Sequence, residues 1–331
     1  MKYIKTFKQL NKKSVGEAGG KGASLGEMTN AKIPVPPGFV ILASAFDRFL
    51  DETDLGTDID VQLKKVIYKD INSVDRYSNV IRDLIADVKF PTDLGEEIIK
   101  SYNQLFSSTT SPRSAVHSSS ARRGGFVAVR SSATAEDSSI ASWAGELETY
   151  LNITEKDLLK KVKLCWSSLF TPRAIFYRRE KKLHNTHVSV AVVVQAMIQS
   201  EISGIAFTVH PVTEDRNQMV IEAGYGLGET IVSGQVTPDS YIISKKDMVL
   251  IDINVSDQEK MLVKKGNGNK MVAVKKADIG KQKLTGRQIL ELAKICAGIE
   301  KHYRLPCDIE WAYAKGKFYI VQSRPITTLK K

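Results

Sequence analysis

Asp308-Ile309-Glu310-Trp311-Ala312-Tyr313-Ala314, Lys315-Gly316-Lys317 and Phe318-Tyr319-Ile320-Val321-Gln322-Ser323-Arg324-Pro325 form one continuous stretch near the end of the sequence. It reads as two short strands, Asp308 to Tyr313 and Phe318 to Gln322, folded back about a glycine turn. Successive side chains on a strand alternate faces, so Asp308 and Glu310 share one face while Ile309, Trp311 and Tyr313 take the other. Two acids side by side repel unless a cation offsets them, and hard oxygen ligands suit a magnesium ion bridging nucleotide phosphates. Arg324 adds the positive charge that a transferring phosphoryl group requires. The plain alternative is a solvated hairpin in which this set of charges is coincidental.

Register decides whether the stretch makes a site at all, because a slip of one residue sends one strand's polar set to the opposite face. A two-residue turn at Lys315-Gly316 would oppose Glu310 to Val321. A three-residue turn, Lys315-Gly316-Lys317, pairs Glu310 with Gln322 and Asp308 with Arg324, and Gly316 supplies the positive φ such turns need. The expectation is therefore a three-residue turn, with Glu310 and Gln322 as cross-strand neighbours and Trp311 and Tyr313 packed on the other side.

Upstream of this hairpin, Thr285-Gly286-Arg287-Gln288 is a capping box opening a helix with Ile289, Leu292, Ala293, Cys296 and Tyr303 on one stripe. Before it, strands are expected at Phe126 to Arg130, Val188 to Ile198, Gly204 to Val209, Met219 to Glu222 and Ser240 to Ile243. The Val188 run is almost continuously apolar, the pattern of a strand buried on both faces. Residues 107–125 are serine-rich and poor in apolar side chains, a composition that cannot offset chain entropy, and are expected to form a mobile loop. Residues 44–106 read as mainly helical, with Thr92 or Asp93 capping a segment that carries Leu94, Ile98, Ile99, Tyr102 and Leu105. The domain reading is accordingly 1–106 for a glycine-loop and helical lobe, 107–125 for the loop, and 126–331 for the strand-rich remainder. The fold class is α+β.

Gly16-Glu17-Ala18-Gly19-Gly20-Lys21-Gly22 resembles a phosphate loop, since glycines let backbone N–H groups approach an anion and Lys21 adds a point charge. It is not a Walker A motif, because its glycines are one residue too close and Gly22 stands where a magnesium-binding hydroxyl belongs. A glycine-rich turn into a helix is the commoner meaning. Gly224-Tyr225-Gly226-Leu227-Gly228-Glu229 brings its third glycine too early for a dinucleotide fingerprint, and fits a loop lying close to a ligand or a neighbouring backbone. In Ala128-Val129-Arg130-Ser131-Ser132-Ala133-Thr134-Ala135-Glu136-Asp137 an arginine ends an apolar strand and can grip two phosphate oxygens. A strand-end surface ion pair is its alternative.

The chain has 331 residues, 42% hydrophobic and 26% charged, with a net charge of +11. That length suits roughly two domains with a sizeable core. The lysines are scattered, apart from a looser run from Lys264 to Lys281, and no nucleic-acid signature accompanies them, so a solvated surface accounts for most. No stretch approaches the roughly 18 apolar residues of a membrane span, and a cytoplasmic location is expected. Cys165, Cys296 and Cys307 have no CxxC spacing, which argues against a disulfide framework or zinc site. His184 and His187 could share a helix face but lack a third ligand. His117, His210 and His302 stand apart.

The order of these segments is more specific than any one of them. Residues 19–28, Val35-Pro36-Pro37-Gly38-Phe39, residues 128–137, Ser168 to Ala174, Gly226 to Glu229, Val232 to Asp239 and the closing strands together resemble the phosphoenolpyruvate synthase and pyruvate phosphate dikinase family, over essentially the whole chain. The set is also similar to the ATP domain of rifampicin phosphotransferase.

The resemblance implies an ATP-grasp nucleotide-binding fold of two lobes, with an additional mainly helical N-terminal subdomain and with ATP and Mg2+ as cofactors. Carried over by position, it implies that Lys21 and Arg130 bind phosphates, that Gly145 and Thr149 line the nucleotide, and that Gln195 meets the adenine. It further implies that Asp308, Glu310 and Gln322 hold Mg2+, and that Arg324 acts on the phosphate being transferred. Lys21, Arg130 and Arg324 are thus the catalytic candidates, and Glu310, Gln322 and Arg324 also belong to the ATP set. The implied activity moves phosphate from ATP, releasing AMP and inorganic phosphate, to a histidine on a separate swivel domain and finally to pyruvate on an acceptor domain. The alternatives are an antibiotic-phosphotransferase ATP module and a non-catalytic nucleotide-binding remnant. Two departures stand out: Glu146 occupies a position where the family carries Gln, and the sequence shows no Thr-Cys-His swivel motif. A free-standing subunit, a truncated product or an excised domain is therefore expected, acting with partners that carry the phosphohistidine and pyruvate sites.

Overall fold

A computed structural model describes residues 2–107, 125–134, 148–181, 188–266, 268–326 and 329. The serine-rich stretch, apart from Ser107 and Gly125, lies outside the described residues, as do Gly145, Glu146, His117, His184 and His187. The chain forms two compact units. The first takes in the described residues of Met1–Glu27, Pro37–Arg113 and His117–Met197, and the second those of Met28–Pro36 and Ile198–Lys331. This division follows strand pairing rather than the 106/126 composition break, because the strands after residue 126 join a sheet with strands from the start of the chain.

The first unit holds β1 (Ile4–Thr6), the start of α1 (Val15–Asn30), β2 (Gly38–Ile41), α2 (Ala43–Glu52), α3 (Leu55–Lys64), α4 (Ile71–Asp87) and α5 (Thr92–Ser107). These are followed by β3 (Val127–Ala133), β4 (Thr149–Ile153), α6 (Glu155–Ser167), α7 (Pro172–Glu180) and β5 (Val190–Ala196). The sheet order is β1-β2-β5-β3-β4, with every neighbour antiparallel. All seven residues of β5 are buried, which explains the unbroken apolar run: it is the central strand and is covered on both faces. On one face Trp166 of α6 packs against Phe46 and Phe49 of α2 and against Phe90, with ring centroids 4.9 to 5.4 Å apart. Helix α5 starts at Thr92, so Pro91 rather than Thr92 or Asp93 is the flanking residue, and Asp93 instead accepts from Arg48 at 2.9 Å.

The opposite face of the sheet meets α1. Gly19 interrupts that helix with φ 67° and ψ 173°, a conformation open almost only to glycine. A Cβ there would also collide with the Ser132 backbone and side chain on β3. The Ser132 hydroxyl spans the break, donating to Ala18 O at 2.9 Å and accepting from Gly22 N–H at 3.3 Å. The hydroxyl-rich segment after Arg130 is therefore strand as far as Ala133, and its buried Ser132 stitches the helix restart to the sheet.

The second unit is built on a six-stranded antiparallel sheet. Its elements are β6 (Ile202–Phe207), β7 (Gln218–Tyr225), the short α8 (Glu229–Val232), β8 (Asp239–Ser244), β9 (Val249–Asn254), α9 (Gly286–Tyr303), β12 (Cys307–Ala314) and β13 (Lys317–Pro325), with a separate hairpin of β10 (Lys260–Lys265) and β11 (Gly268–Ala273). The sheet order is β13-β12-β6-β7-β8-β9. Helix α9 has the capping box read from the sequence, and Ile289, Leu292, Ala293 and Cys296 are buried. The lysine run falls on the exposed β10–β11 hairpin and the turns after it. No helix among the described residues is long and apolar enough to cross a membrane. The three cysteines are free and buried, and burial pushes the Cys165 thiol up to about 12 and Cys307 to about 11.

A buried ion pair holds the far side of this unit. Lys283 Nζ meets Asp239 Oδ1 at 2.8 Å with both side chains fully enclosed. The second carboxylate oxygen accepts from Tyr241 OH at 2.7 Å and from Lys283 N–H at 2.8 Å. Every charge here has partners, so removing one leaves the other stranded. Asp239→Asn should lower the unfolding free energy by about 3–5 kcal/mol in urea titrations, the cost of an uncompensated buried ammonium; a loss below 1 kcal/mol would contradict this account. Gly19→Ala should cost roughly 2–4 kcal/mol from strain plus collision, whereas Gly16→Ala, with open space around it, should be neutral or slightly stabilising. Equal midpoints for the two alanine variants would overturn that assignment.

Candidate functional site

Cross-strand register in the first unit gathers the expected nucleotide residues on the α1 face of the sheet. Arg130 lies opposite Val193 on β5 and opposite Thr149 on β4, while Ala128 lies opposite Gln195. Directly opposed residues share a face, so Arg130, Thr149, Gln195 and Ser132 all point to the same side. Arg130 and Gln195 are buried, and Arg130 Nη1 donates to Gln195 Oε1 at 3.4 Å. Ser131, one residue out of phase, points the other way and bonds to the Cys165 carbonyl and the Ser168 hydroxyl. Lys21 is half-buried on α1 two residues after the Gly19 break. β4 is fixed beside Arg130 by Glu148, which accepts from Arg82 Nη2 at 2.6 Å and from the Tyr150 hydroxyl. Neither Arg82 nor Glu148 stood out in the sequence, because a long-range ion pair leaves no local pattern.

The second unit brings Asp308, Glu310, Gln322 and Arg324 together. Asp308 pairs with Arg324 and Glu310 with Gln322, as the face argument required. The turn achieves this by a different route. It has two residues, Lys315 and Gly316, both at positive φ (50° and 76°), and opposes Ala314 to Lys317. A β-bulge between Glu310 and Trp311 on the register then absorbs Val321, restoring the pairing below it. The two-residue turn follows from the strand twist that a turn of this hand matches, and Glu201 Oε1 caps it by accepting from Lys315 N–H at 2.9 Å. Trp311 is buried and Tyr313 partly so.

The side chains form two rungs. Arg324 Nε and Nη2 both donate to Asp308 Oδ2, at 2.8 and 2.7 Å. Gln322 Nε2 donates to Glu310 Oε1 at 3.1 Å. Sheet register adds a third acid to this face: Glu310 opposes Ile205 on β6, which opposes Glu222 on β7. Burial, with the Asp308 charge as a smaller contribution, raises the Glu222 carboxyl above the usual range. Glu222 was read only as the end of a strand, since its proximity to β12 depends on strand order. Among the described residues no three His, Cys, Asp or Glu side chains converge as a metal cage.

The Gly224–Glu229 loop lies against neighbouring backbone. Gly226, at φ 89°, would strike Leu262 O if it carried a Cβ, and its own carbonyl accepts from the hydroxyls of Ser200 and Ser203. Gln258 brackets Tyr225 with bonds to its N–H and C=O. His210 Nδ1 accepts from the N–H groups of Val212 and Thr213, a turn-capping task.

Comparison with known proteins identifies the family. The family model described as "Pyruvate phosphate dikinase, AMP/ATP-binding domain" matches residues 15–331. The chain belongs to this family. Its α+β architecture is the ATP-grasp-like fold of that domain. Over 333 residues it is 46% identical to a Methanocaldococcus jannaschii protein named "Probable phosphoenolpyruvate synthase", covering 100% of this chain and 27% of that protein. It is 41% identical to the Pyrococcus furiosus "Phosphoenolpyruvate synthase" over 378 residues, covering 100% of this chain and 44% of the relative. A Methanothermobacter thermautotrophicus "Probable phosphoenolpyruvate synthase" is 42% identical, with 99% and 46% covered. The chain thus spans 27 to 46% of the length of these relatives.

The Glu222 environment yields a pH test. An acid whose folded pKa is raised costs stability above its unfolded pKa, and that cost disappears as both states protonate. Glu222→Gln should therefore show a higher urea midpoint than the unsubstituted protein at pH 7, with the difference shrinking as pH falls toward about 4. A lower midpoint at pH 7 would mean that the carboxylate is stabilised where it sits.

Proposed function

We propose that this chain binds Mg-ATP and serves as the ATP-binding component of a phosphoenolpyruvate-synthase-like phosphotransferase, passing phosphate from ATP to a histidine on a separate swivel domain or protein and ultimately to pyruvate. The observation that carries the reading is the pair of polar rungs on one face of β12 and β13, where an acid-amide pair stands beside an acid-guanidinium pair. A carboxylate next to a neutral amide oxygen is a donor set suited to a hard cation that keeps its waters and phosphate ligands. Asp308, Glu310 and Gln322 would hold Mg2+, which when bound neutralises phosphate charge. Lys21 and Arg130 would bind phosphate oxygens, Arg130 as a planar fork already oriented by Gln195. Gln195 would read the adenine edge and Thr149 would line the nucleotide, with Gly145 carried over from the resemblance. Arg324 would stabilise charge on the phosphate in transfer.

Calorimetry should show Mg-ATP binding by the chain, weakened about 10- to 150-fold in Arg130→Ala or Lys21→Ala, as expected for loss of a charge-assisted hydrogen bond worth roughly 1.5–3 kcal/mol. The chain alone should form no phosphoenolpyruvate from pyruvate. Supplied with a histidine-bearing swivel domain, it should label that domain in an ATP-dependent manner, and Glu310→Ala should abolish labelling. Absence of ATP binding, or unchanged labelling in Glu310→Ala, would sink the proposal.

A further inference from the structure

We infer that Ser132 is the positioning residue for Lys21: its hydroxyl, inserted into the hydrogen-bond ladder of α1, sets where Lys21 stands relative to Arg130, the other cation assigned to the ATP phosphates. This rests on the functional reading above and names a residue on which its phosphate contacts depend.

Three observations carry the inference. First, the hydroxyl takes the place of a helix bond. In an unbroken α-helix an N–H donates to the carbonyl four residues back, which would join Gly22 N–H directly to Ala18 O. Here Ser132 Oγ stands between those two groups, donating to Ala18 O at 2.9 Å and accepting from Gly22 N–H at 3.3 Å. A side chain inserted into the ladder is one of the few causes of a sharp helix break. The break lies at Gly19, whose φ of 67° and missing side chain admit the serine. Lys21 falls inside the interrupted turn, one residue before the N–H that Ser132 holds. Second, the same hydroxyl is tied to Arg130. Ser132 and Arg130 are two residues apart on β3 and share its α1 face, roughly 7 Å along the strand, and Ser132 is completely buried. Third, Gly22 is located from another direction as well. A Cβ there would approach a Val40 methyl at 3.1 Å. Val40 opposes Val193, which opposes Arg130, so this contact lies in the same cross-strand row as the arginine. Without the hydroxyl, Ala18 O and Gly22 N–H are left either unpaired or closing on each other, and both outcomes move the turn that carries Lys21.

The test separates phosphate recognition from the integrity of the sheet. With displacement of a fluorescent ATP analogue as the readout, Ser132→Ala should weaken ATP about tenfold and adenosine less than about twofold, because adenosine has no phosphate for Lys21 to meet. Ser131→Ala removes another buried hydroxyl, one that bonds on the opposite face of β3. It should change the ratio of ATP to adenosine affinity by less than about twofold. In a Lys21→Ala background, adding Ser132→Ala should cost ATP less than about a further twofold, since a residue that acts through Lys21 then has nothing left to position. A merely structural role would lower ATP and adenosine affinity together. Should Ser132→Ala fold poorly, Ser132→Cys retains the side-chain volume, weakens both hydrogen bonds and gives the same comparison. An unchanged ATP affinity in these variants, equal losses of ATP and adenosine, a matching change of the ratio in Ser131→Ala, or a full additive loss in the Lys21→Ala background would each overturn the inference while leaving ATP binding intact. No ATP binding by the unsubstituted chain would overturn it together with the functional reading.

Discussion

The period of a β-strand is two residues, and much of the second unit depends on satisfying that constraint at β12–β13. A two-residue turn with both residues at positive φ is the tight connection that suits twisted strands, yet on its own it opposes Glu310 to an apolar residue. The bulge that absorbs Val321 corrects the phase before the polar rungs begin. Bulges commonly re-aim side chains beside functional sites, and here the displaced residue separates an apolar half of the hairpin, around Trp311 and Phe318, from a polar half. The apolar half anchors the pair in the core. The polar half then presents acceptors from one strand and donors from the other.

The first unit solves a related problem by close approach. Alternation along β3 sends Arg130 and Ser132 to one side and Ser131 to the other, so adjacent hydroxyls serve opposite faces of one strand. Ser131 ties the strand to the helical side, where Trp166 and three phenylalanines pack. Ser132 ties it to α1, and it can do so only because Gly19 has no side chain. The glycine-dense segment is thus first a packing device, which sets the place of Lys21 relative to Arg130 within this unit. A phosphate-binding use of Lys21 is compatible with that packing and does not explain it.

Buried polar groups elsewhere follow the same economy of partners. Asp239, Lys283 and Tyr241 satisfy one another in a fully enclosed place, and Gln258 does the same for the backbone of Tyr225. These contacts hold β8 and the glycine loop in place, and Gly226, at positive φ, lets that loop lie against the Leu262 backbone.

The sequence by itself determined the elements whose signals are local. The capping box before α9, the helices between residues 43 and 107, the unbroken apolar run of β5 and the alternation in the closing hairpin each depend on neighbours a few residues apart, and each was legible. The sharing of a face by Glu310 and Gln322 was expected from a three-residue turn, whereas the structure reaches it through a two-residue turn and a bulge. Short, partly exposed strands such as β1, β4 and β9 were not legible, because their pairing energy comes from distant segments and their side chains show little contrast. Tertiary structure alone decided the bulge at Val321, the addition of Glu222 to the acidic face and the Arg82–Glu148 support beneath Thr149. All of these depend on which elements lie side by side, and a contact such as Arg82–Glu148, 66 positions apart, is fixed by the packing of whole elements rather than by any pattern that a short window of sequence can hold.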